Sequence, residues 1–304
     1  MPKVSICIPT YQNREEVERL LESIMLQSYK DYEIIITDDS KDRETEDYIS
    51  SLREKDYWIK DKLRYYHNPI PLGHIYNWNK ALSYATGEYI KIMFSDDWMI
   101  EKECLEKLVA ALDQNMEADF VFCKNFQVSS NKQYEREPEP GYIEKLREDY
   151  RYLFISNQIG APSNTMYRRS SEVCFDESSN WASDVFLYLE ILRKNPRFVY
   201  VDCPLIAIGI HENQYTESFS EGDERIINDY LYMFQKYRLE EDNIYRNYLL
   251  ETYLVKSKEG WRIAKKAGYS KKEFGQAKYK DLMGRIIPSY LYAIKRRLLR
   301  VKQS

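Results

Sequence analysis

Two adjacent acids, Asp96 and Asp97, are the residues of this chain whose type and position most strongly indicate chemistry. They follow an apolar run, residues 89–94 (YIKIMF), that is typical of a buried strand. Two fixed carboxylates at a strand end repel each other unless a positive group lies close by. A divalent cation that also binds phosphate would supply that charge. The pair would also suit the start of a helix near Glu101, and on these two residues alone that interpretation is the stronger one.

The composition of the chain excludes several classes of protein. Its 304 residues are 43% hydrophobic and 31% charged, as in ordinary globular proteins. The net charge of −4 gives no general attraction to nucleic acid. No run reaches the roughly 18 apolar residues of a membrane span, and the N-terminus lacks the pattern of a signal peptide. We therefore expect a cytosolic protein, or one held at the cytosolic face of a membrane.

The cysteines support neither a disulfide framework nor a zinc site. Their number is odd and none of them forms a CxxC pair. We expect buried free thiols in a reducing compartment. The five positions are Cys7, Cys104, Cys123, Cys174 and Cys203.

The first hundred residues alternate between short apolar runs and amphipathic helical patterns. We predict strands at residues 4–8, 32–37, 63–67 and 88–94, and helices at 14–26, 43–52 and 75–85. Strands without internal alternation, separated by helices, are typical of a parallel sheet that is covered on both faces.

Polar side chains follow three of these strands at the point where each strand ends. In α/β sheets of this kind, ligands bind at the carboxyl ends of the strands. Convergence of the three groups on one edge makes a cation and phosphate site the stronger interpretation of the two acids. The groups are Thr10, Tyr11 and Asn13 after the first strand, Asp38, Asp39 and Ser40 after the second, and Asp96 and Asp97 after the fourth.

The rest of the chain has a mixed pattern. We predict helices at residues 101–112, 142–156 and 181–194, and strands at 119–128, 165–167, 198–201 and 205–210. Residues 129–141, rich in Glu and Pro, are predicted to form a polar loop that could act as a mobile cover. Beyond Glu221 the pattern is wholly helical.

Three segments in order, VSICIPTYQN, YEIIITDDS and GEYIKIMFSDDW, together resemble glycosyltransferase family 2, the inverting enzymes of the GT-A fold. The resemblance runs from Val4 to about His211, two thirds of the chain. It implies an α/β GT-A domain at residues 1–218, with a mostly parallel central sheet flanked by helices. Residues 1–98 would form the nucleotide-binding half and residues 99–218 the acceptor half. Residues 219–304 would form a helical C-terminal extension.

The resemblance assigns a nucleotide-binding role to residues in each of the three segments. Tyr11, after Pro9 and Thr10, would lie against the nucleotide base. Asp39 would accept the imide N–H of uracil or thymine, although it could instead start the following helix. Asp96 would contact the ribose or the metal. The expected donor is therefore a nucleotide-sugar, with UDP-sugar as the first choice.

The resemblance also implies a cofactor, Mn²⁺ or Mg²⁺, that bridges the two phosphates. Asp97 would bind the cation, and His211, after the last sheet strand, would contact the metal or the diphosphate. Asn79 and Lys80 would contact the donor sugar or the diphosphate, with the backbone as an alternative source of diphosphate contacts. Many family members carry Arg immediately before that Asn, where this chain has Trp78, which we expect to pack in the core.

The acceptor half contains the predicted general base, which removes the proton of the acceptor hydroxyl. The family places this carboxylate in a Glu-Asp pair at the start of a late helix. Here Asp184 is retained and Ser183 replaces the Glu, so Asp184 is the predicted base, with a helix-start acid as the alternative. Gly160 and Ser163 lie in a turn that would border the donor sugar or serve only as a turn.

Residues 278–304 form a basic amphipathic segment. It contains eight Lys or Arg and one acid, Asp281, and its apolar residues fall on one helical face. This pattern predicts contact with an anionic membrane surface. A terminal helix packed on the domain and an oligomer contact are the alternatives.

Together these observations predict an inverting glycosyltransferase that acts on a saccharide or lipid-linked saccharide acceptor in polysaccharide biosynthesis. A non-catalytic member of the fold that binds nucleotide-sugar or glycan is the first alternative, favoured only by Ser183. A sugar nucleotidyltransferase is the second, but PTYQNRE lacks the Gly-rich loop that such enzymes carry after the first strand.

Overall fold

The four strands predicted in the first hundred residues lie side by side as the parallel part of one sheet. They are seen in a computed structural model that describes residues 1–55, 57–211, 214, 219–220 and 222–284. Strand β1 is buried at every position, which explains why its sequence does not alternate. The strands of the described chain are β1 (Val4–Thr10), β2 (Tyr32–Asp38), β3 (Leu63–His67), β4 (Tyr89–Ile92), β5 (Trp98–Met99), β6 (Phe120–Val128), β7 (Gln133–Arg136), β8 (Thr165–Arg168) and β9 (Phe198–Gly209).

The second half of the sheet is mixed in direction. The strand order is β3-β2-β1-β4-β8-β6-β9-β5, with β7 paired to β6 outside this path. Strand β8 is antiparallel to both β4 and β6, whereas β6 and β9 are parallel. The parallel first part of the sheet, its mixed second part and the flanking helices confirm the predicted α/β architecture.

Helices cover both faces of this sheet and supply much of its core. Val17, Leu20, Leu21 and Ile24 of the first helix are fully buried, as their helical spacing predicts. Together with strands β1 and β2 they form one continuous hydrophobic cluster. The helices of this part of the chain are α1 (Arg14–Met25), α2 (Glu44–Lys55), α3 (Tyr57–Lys62), α4 (His74–Ser83), α5 (Cys104–Asp113), α6 (Tyr142–Glu148) and α7 (Ser183–Lys194).

The structure corrects three of the predicted elements. The predicted loop at 129–141 contains strand β7, so part of it is a hairpin with β6. The predicted helix at 142–156 ends at Glu148, because Asp149 is extended and its side chain accepts the N–H of Arg151 to start a short 3₁₀ helix. The two strands predicted at 198–201 and 205–210 are one strand, β9, whose pairing with β6 shifts register near Lys124.

All five cysteines are free thiols. Cys7, Cys104 and Cys123 are buried as predicted, whereas Cys203 is partly exposed and Cys174 is exposed. The expectation of uniform burial was therefore wrong for the last two.

The chain divides into two compact units, residues 1–214 and 215–304. The second unit contains α8 (Glu224–Lys236), α9 (Asn243–Thr252) and α10 (Gly260–Lys266), and residues 271–284 are also helical. Within the described residues, no helix combines the length and apolar character that a membrane span requires. The predicted basic segment lies outside the described residues from position 285 onward.

Candidate active site

The loops that follow β1, β2 and β4 meet at one edge of the sheet. Parallel pairing aligns Thr10 with Asp38 at the ends of β1 and β2. The backbone N–H of Gln12 donates to the Ser40 hydroxyl at 2.7 Å, which joins the first two loops. The side-chain amide of Asn13 donates to the hydroxyl of Ser95, which joins the first loop to the third. The predicted convergence is thus confirmed by direct contacts.

Asp39 is fixed by a loop from another part of the chain. It is 4% exposed, and its Oδ1 accepts from the Asn68 amide at 2.9 Å and the Leu72 N–H at 2.7 Å. Its Oδ2 accepts the N–H of Gly73 at 2.8 Å. Asp39 therefore does not start a helix. Since a carboxylate accepts about four hydrogen bonds, one position remains for a ligand donor.

Lys80 reaches the same network from helix α4. Its ammonium donates to Oδ1 of Asn68 at 2.5 Å, and Asn68 in turn holds Asp39. Lys80 therefore places a positive charge near the edge of the sheet, while one of its N–H donors is already used.

Tyr11 is more exposed to solvent than the two residues before it. Its side chain is half exposed, whereas Pro9 and Thr10 are buried. Thr10 instead binds the side chain of Asn13 through its hydroxyl. Of these three predicted nucleotide-binding residues, Tyr11 is the one whose ring is free to meet a planar ligand.

The two adjacent acids have different environments. Asp97 is 2% exposed, and its Oδ1 accepts the N–H of Gly209 at 3.1 Å. Burial, together with the neighbouring Asp96, raises the pKa of Asp97 well above its usual range. The Asp96 side chain is more exposed, and its Oδ2 lies 3.3 Å from Nε2 of His211. Neither acid starts a helix, because α5 begins at Cys104 after Glu103. The helix-start interpretation of the pair was therefore wrong.

A buried lysine, Lys91 of β4, lies beneath this pair. Its ammonium donates to the carbonyls of Ser163 and Thr165, the latter at 3.3 Å. Burial lowers the pKa of Lys91 to about 8, while the charge of Asp97 acts to raise it. The hydroxyl of Ser163 accepts the N–H of Phe94 at 2.9 Å. Ser163 therefore ties the turn at 160–164 to the end of β4 and lies fully buried, so it offers little surface to a sugar.

Asp184 lies in the first turn of α7 and is partly buried. Its Oδ2 accepts from the Asn157 amide at 2.7 Å, and its Oδ1 accepts the N–H of Val185 at 2.8 Å. Burial raises the pKa of Asp184 to about 6, although these hydrogen bonds act to lower it. A carboxylate with this pKa is ionised at neutral pH and still basic enough to accept a proton.

Asn79, Trp78 and Ser183 make contacts within the protein. The Asn79 amide donates to the carbonyl of Phe175 and its oxygen accepts the Phe175 N–H, both at 2.9 Å. Trp78 packs against the rings of Phe94 and Phe175 but is only partly buried, so it lies at the margin of the core rather than within it. Ser183 is buried and its hydroxyl is bonded to that of Ser179. The predicted diphosphate contact of Asn79 stays a prediction.

Residues 5–174 match the protein family described as Glycosyl transferase family 2. The matched region is more than half of the chain and contains β1 to β8 together with the two acids. The chain belongs to glycosyltransferase family 2.

One known relative matches most of the length of this transferase and another matches about half of it. WcaA of Escherichia coli (strain K12), named as a glycosyl transferase of colanic acid biosynthesis, is 25% identical over 268 residues, 86% of this chain and 91% of WcaA. Abequosyltransferase RfbV of Salmonella typhimurium (strain LT2) is 31% identical over 156 residues, 51% of this chain and 44% of RfbV. The family match, rather than any one relative, identifies the chain as a glycosyltransferase.

Solved structures share the fold of the transferase. The S. aureus TarS fragment 1–349 in complex with UDP-GlcNAc has a TM-score of 0.62 at 18% identity, covering 92% of this chain and 81% of that one. Mannosyltransferase PcManGT from Pyrobaculum calidifontis, in complex with GDP-Man and Mn²⁺, has a TM-score of 0.60 at 16% identity, covering 96% and 83%. At these identities the likeness shows the GT-A fold alone.

The side chains of the site that could bind a metal fit a cation that a substrate also binds. Within the described ranges, no cluster of three or more His, Cys, Asp or Glu side chains could hold a metal ion by itself. Asp96 and His211 offer an oxygen and a nitrogen 3.3 Å apart, near the roughly 3 Å between adjacent ligands of an octahedral ion with bonds of about 2.1 Å. Phosphate oxygens and water would complete its coordination.

Three residues of the site were missed in the sequence, for different reasons. Asn68 directly follows β3, so the strand-end rule that found Asp39 applied to it as well. Lys91 is a charge inside an apolar strand, which is a visible signal of a buried partner. Asn157 lies in a loop without a local pattern, and only the tertiary structure brings it to Asp184.

Proposed function

We propose that the protein transfers a sugar from a uridine or thymidine diphosphate donor to a saccharide or lipid-linked saccharide, with inversion of configuration. The observation that carries this proposal is the Asp184 carboxylate, oriented by Asn157, with its pKa raised to about 6. A base of this strength suits removal of a proton from a hydroxyl as that oxygen attacks the anomeric carbon. Attack in one displacement inverts that carbon.

The nucleotide side of the proposal rests on Tyr11 and Asp39. The half-exposed ring of Tyr11 would stack on the base. The remaining acceptor position of Asp39 would take the imide N–H of uracil or thymine, because a carboxylate cannot donate to the base. Guanine also carries a ring N–H donor, so the preference of Asp39 for uracil or thymine over guanine is part of the proposal and is tested by titration below.

For the metal, the structure favours Asp96 over the predicted Asp97. His211 lies beside Asp96, whereas Asp97 is buried and bonded to the N–H of Gly209. We propose that Asp96 and His211 hold Mn²⁺ or Mg²⁺, and that Asp97 positions the loop beneath them. When bound, the cation would offset the charge of the departing nucleoside diphosphate.

The names of two relatives support a proposal for the biological process. WcaA is named for colanic acid biosynthesis and RfbV as an abequosyltransferase. We propose that this enzyme likewise acts in assembly of a surface polysaccharide. Contact of residues 278–304 with an anionic membrane also remains a proposal, because positions 285–304 lie outside the described residues.

Calorimetric titration of the full chain with UDP, dTDP and GDP, each with and without Mn²⁺, tests the proposed donor. We expect metal-dependent binding of UDP or dTDP at least about tenfold tighter than that of GDP, a difference of about 1.4 kcal/mol. The Asp39→Asn variant should lose most of this preference. A preference for GDP would disprove the role of Asp39, and no binding of any nucleotide would disprove the proposed donor class.

The pH dependence of turnover tests the proposed base separately. Asp184 must be ionised to accept a proton, and its pKa of about 6 means that the ionised fraction falls as the pH drops below 6. We expect kcat/KM to fall about tenfold per pH unit in the acid range and to level off above about pH 7. The measurement is the rate of nucleoside diphosphate release between pH 4.5 and 8, in a range where circular dichroism shows the protein folded. A flat profile would contradict the role of Asp184.

A further inference from the structure

Arg136, the last residue of β7, extends from the hairpin of β6 and β7 toward the loop that carries Asn157. One of its guanidinium N–H groups donates to the carbonyl of Asn157 at 3.2 Å. Another guanidinium nitrogen lies 3.3 Å from the point where a Cβ on Gly160 would stand. Gly160 has φ +86, so glycine here allows both the backbone conformation and the close approach of Arg136.

Asn157 connects this arginine to the proposed base. Its side-chain amide donates to Oδ2 of Asp184 at 2.7 Å, and its side-chain oxygen accepts the N–H of Gly160 at 3.2 Å. With its carbonyl held by Arg136, Asn157 is fixed at three points. A continuous chain of hydrogen bonds therefore runs from the hairpin to the carboxylate.

The charge of Arg136 also reaches Asp184 through space. The guanidinium lowers the pKa of that carboxyl, opposing the effect of burial. Tyr188 of α7 is a titratable group that interacts with Asp184, and its own pKa rises well above its usual range through burial and the charge of Asp184. Tyr142 of α6 acts on Tyr188 in turn. Arg136 is thus a cation that acts on the proposed base.

We propose that Arg136 is a positioning residue for the transfer reaction. It holds Asn157 against Asp184 and places a positive charge beside the base, so the hairpin of β6 and β7 completes the acceptor side of the site. This inference rests on the proposed role of Asp184 as general base. The segment predicted as a polar cover therefore carries a residue that acts on the chemistry, rather than serving as a cover alone.

The test measures the ionisation of Asp184 directly, without substrate. The full chain is labelled with ¹³Cγ-aspartate, its Asp184 signal is assigned by its loss in Asp184→Asn, and the signal is followed by NMR from pH 4 to 8. Replacing Arg136 with Gln should move the titration midpoint of Asp184 upward by roughly 0.5–1 pH unit, because an opposite charge is lost. Arg136→Lys keeps the charge and should stay within about 0.3 pH unit of the wild type.

Turnover measurements then test whether holding Asn157 and placing a positive charge beside the base affect the rate of transfer. Arg136→Gln should lower kcat about 10- to 100-fold with little change in the KM for the donor, while Arg136→Lys recovers part of the rate. The matched control is Arg168→Gln, which removes a partly buried arginine that binds Glu88 and the carbonyl of Leu112. It should lower the unfolding temperature without moving the Asp184 midpoint.

Two results would overturn the inference. One is an unchanged Asp184 midpoint in folded Arg136→Gln, and the other is an Arg136→Lys midpoint that moves as far as that of Arg136→Gln. If Arg136→Gln does not fold, Arg136→Met and Arg136→Lys give the same comparison of charge. Because the titration needs no turnover, a shifted midpoint in a protein without transferase activity would disprove the proposed function and leave the effect of the Arg136 charge on the carboxylate established.

Discussion

Replacing Asp184 with Asn should lower kcat by about 10²–10⁴-fold, the range that a general base contributes. The donor dissociation constant should change by less than about twofold, because the base acts on the acceptor hydroxyl in the transition state. Asn can still accept the amide hydrogen bond that Asn157 donates at 2.7 Å, so the geometry is largely kept and the proton acceptor is lost. Single-turnover release of nucleoside diphosphate and calorimetric titration of the nucleotide measure the two quantities.

The control for this variant is Asp149→Asn. Asp149 lies in the same half of the domain and starts the short 3₁₀ helix Tyr150–Phe154 by accepting the N–H of Arg151 at 2.9 Å. If Asp184 were only an acid at a helix start, both variants would lose stability and neither would lose much turnover. Full activity in Asp184→Asn would therefore assign Asp184 the structural role and leave the base to be found elsewhere.

The meeting of the loops after β1, β2 and β4 could be predicted because its geometry follows from local rules. Apolar runs of β-strand length, separated by helices, force parallel strands whose carboxyl ends share an edge. Residues that follow those strands directly, such as Tyr11, Asp39 and Asp96, must then lie near one another. The contacts between Gln12 and Ser40 and between Asn13 and Ser95 are the result.

The division of roles between Asp96 and Asp97 could not be predicted. The two acids lie in a turn that the Asp97 N–H closes onto the carbonyl of Phe94, so strand alternation does not decide which of them faces inward. Which of the two faces inward depends on the path of the chain after β4 and on β9, which supplies Gly209 and leads to His211. Gly209 lies more than a hundred residues after Asp97 in the sequence, so no local pattern indicates this contact.

The surroundings of the base were beyond sequence reasoning for a similar reason. Asp184 was found because it belongs to a family pattern, but Asn157 lies 27 residues before it in a loop without a pattern. Arg136 comes from a hairpin that its Glu- and Pro-rich sequence made look like an irregular loop. Antiparallel pairing and the register of β6 decide these contacts, and register is set by the whole sheet.

The second large effect is expected at the proposed metal site. Replacing Asp96 and replacing Asp97 should change Mn²⁺-dependent UDP binding by different amounts. Asp96→Asn removes the carboxylate beside His211 and should weaken Mn²⁺-dependent UDP binding about 10- to 100-fold. Asp97→Asn should change it by less than about threefold, because the Asn oxygen can still accept the N–H of Gly209. Free Mn²⁺ counted by electron paramagnetic resonance during UDP titration measures metal binding without any need for turnover.

The same pair of variants decides which acid is the ligand. His211→Ala should reproduce the loss in Asp96→Asn, and combining the two should cost less than the sum of their separate effects, because both groups would hold one ion. UDP binding without metal should stay close to that of the wild type in both variants. If Asp97→Asn instead loses Mn²⁺ while Asp96→Asn keeps it, the ion must draw Asp97 away from Gly209. Metal binding would then rearrange the loop after β4, and the buried ammonium of Lys91 would lose the acid whose charge it offsets.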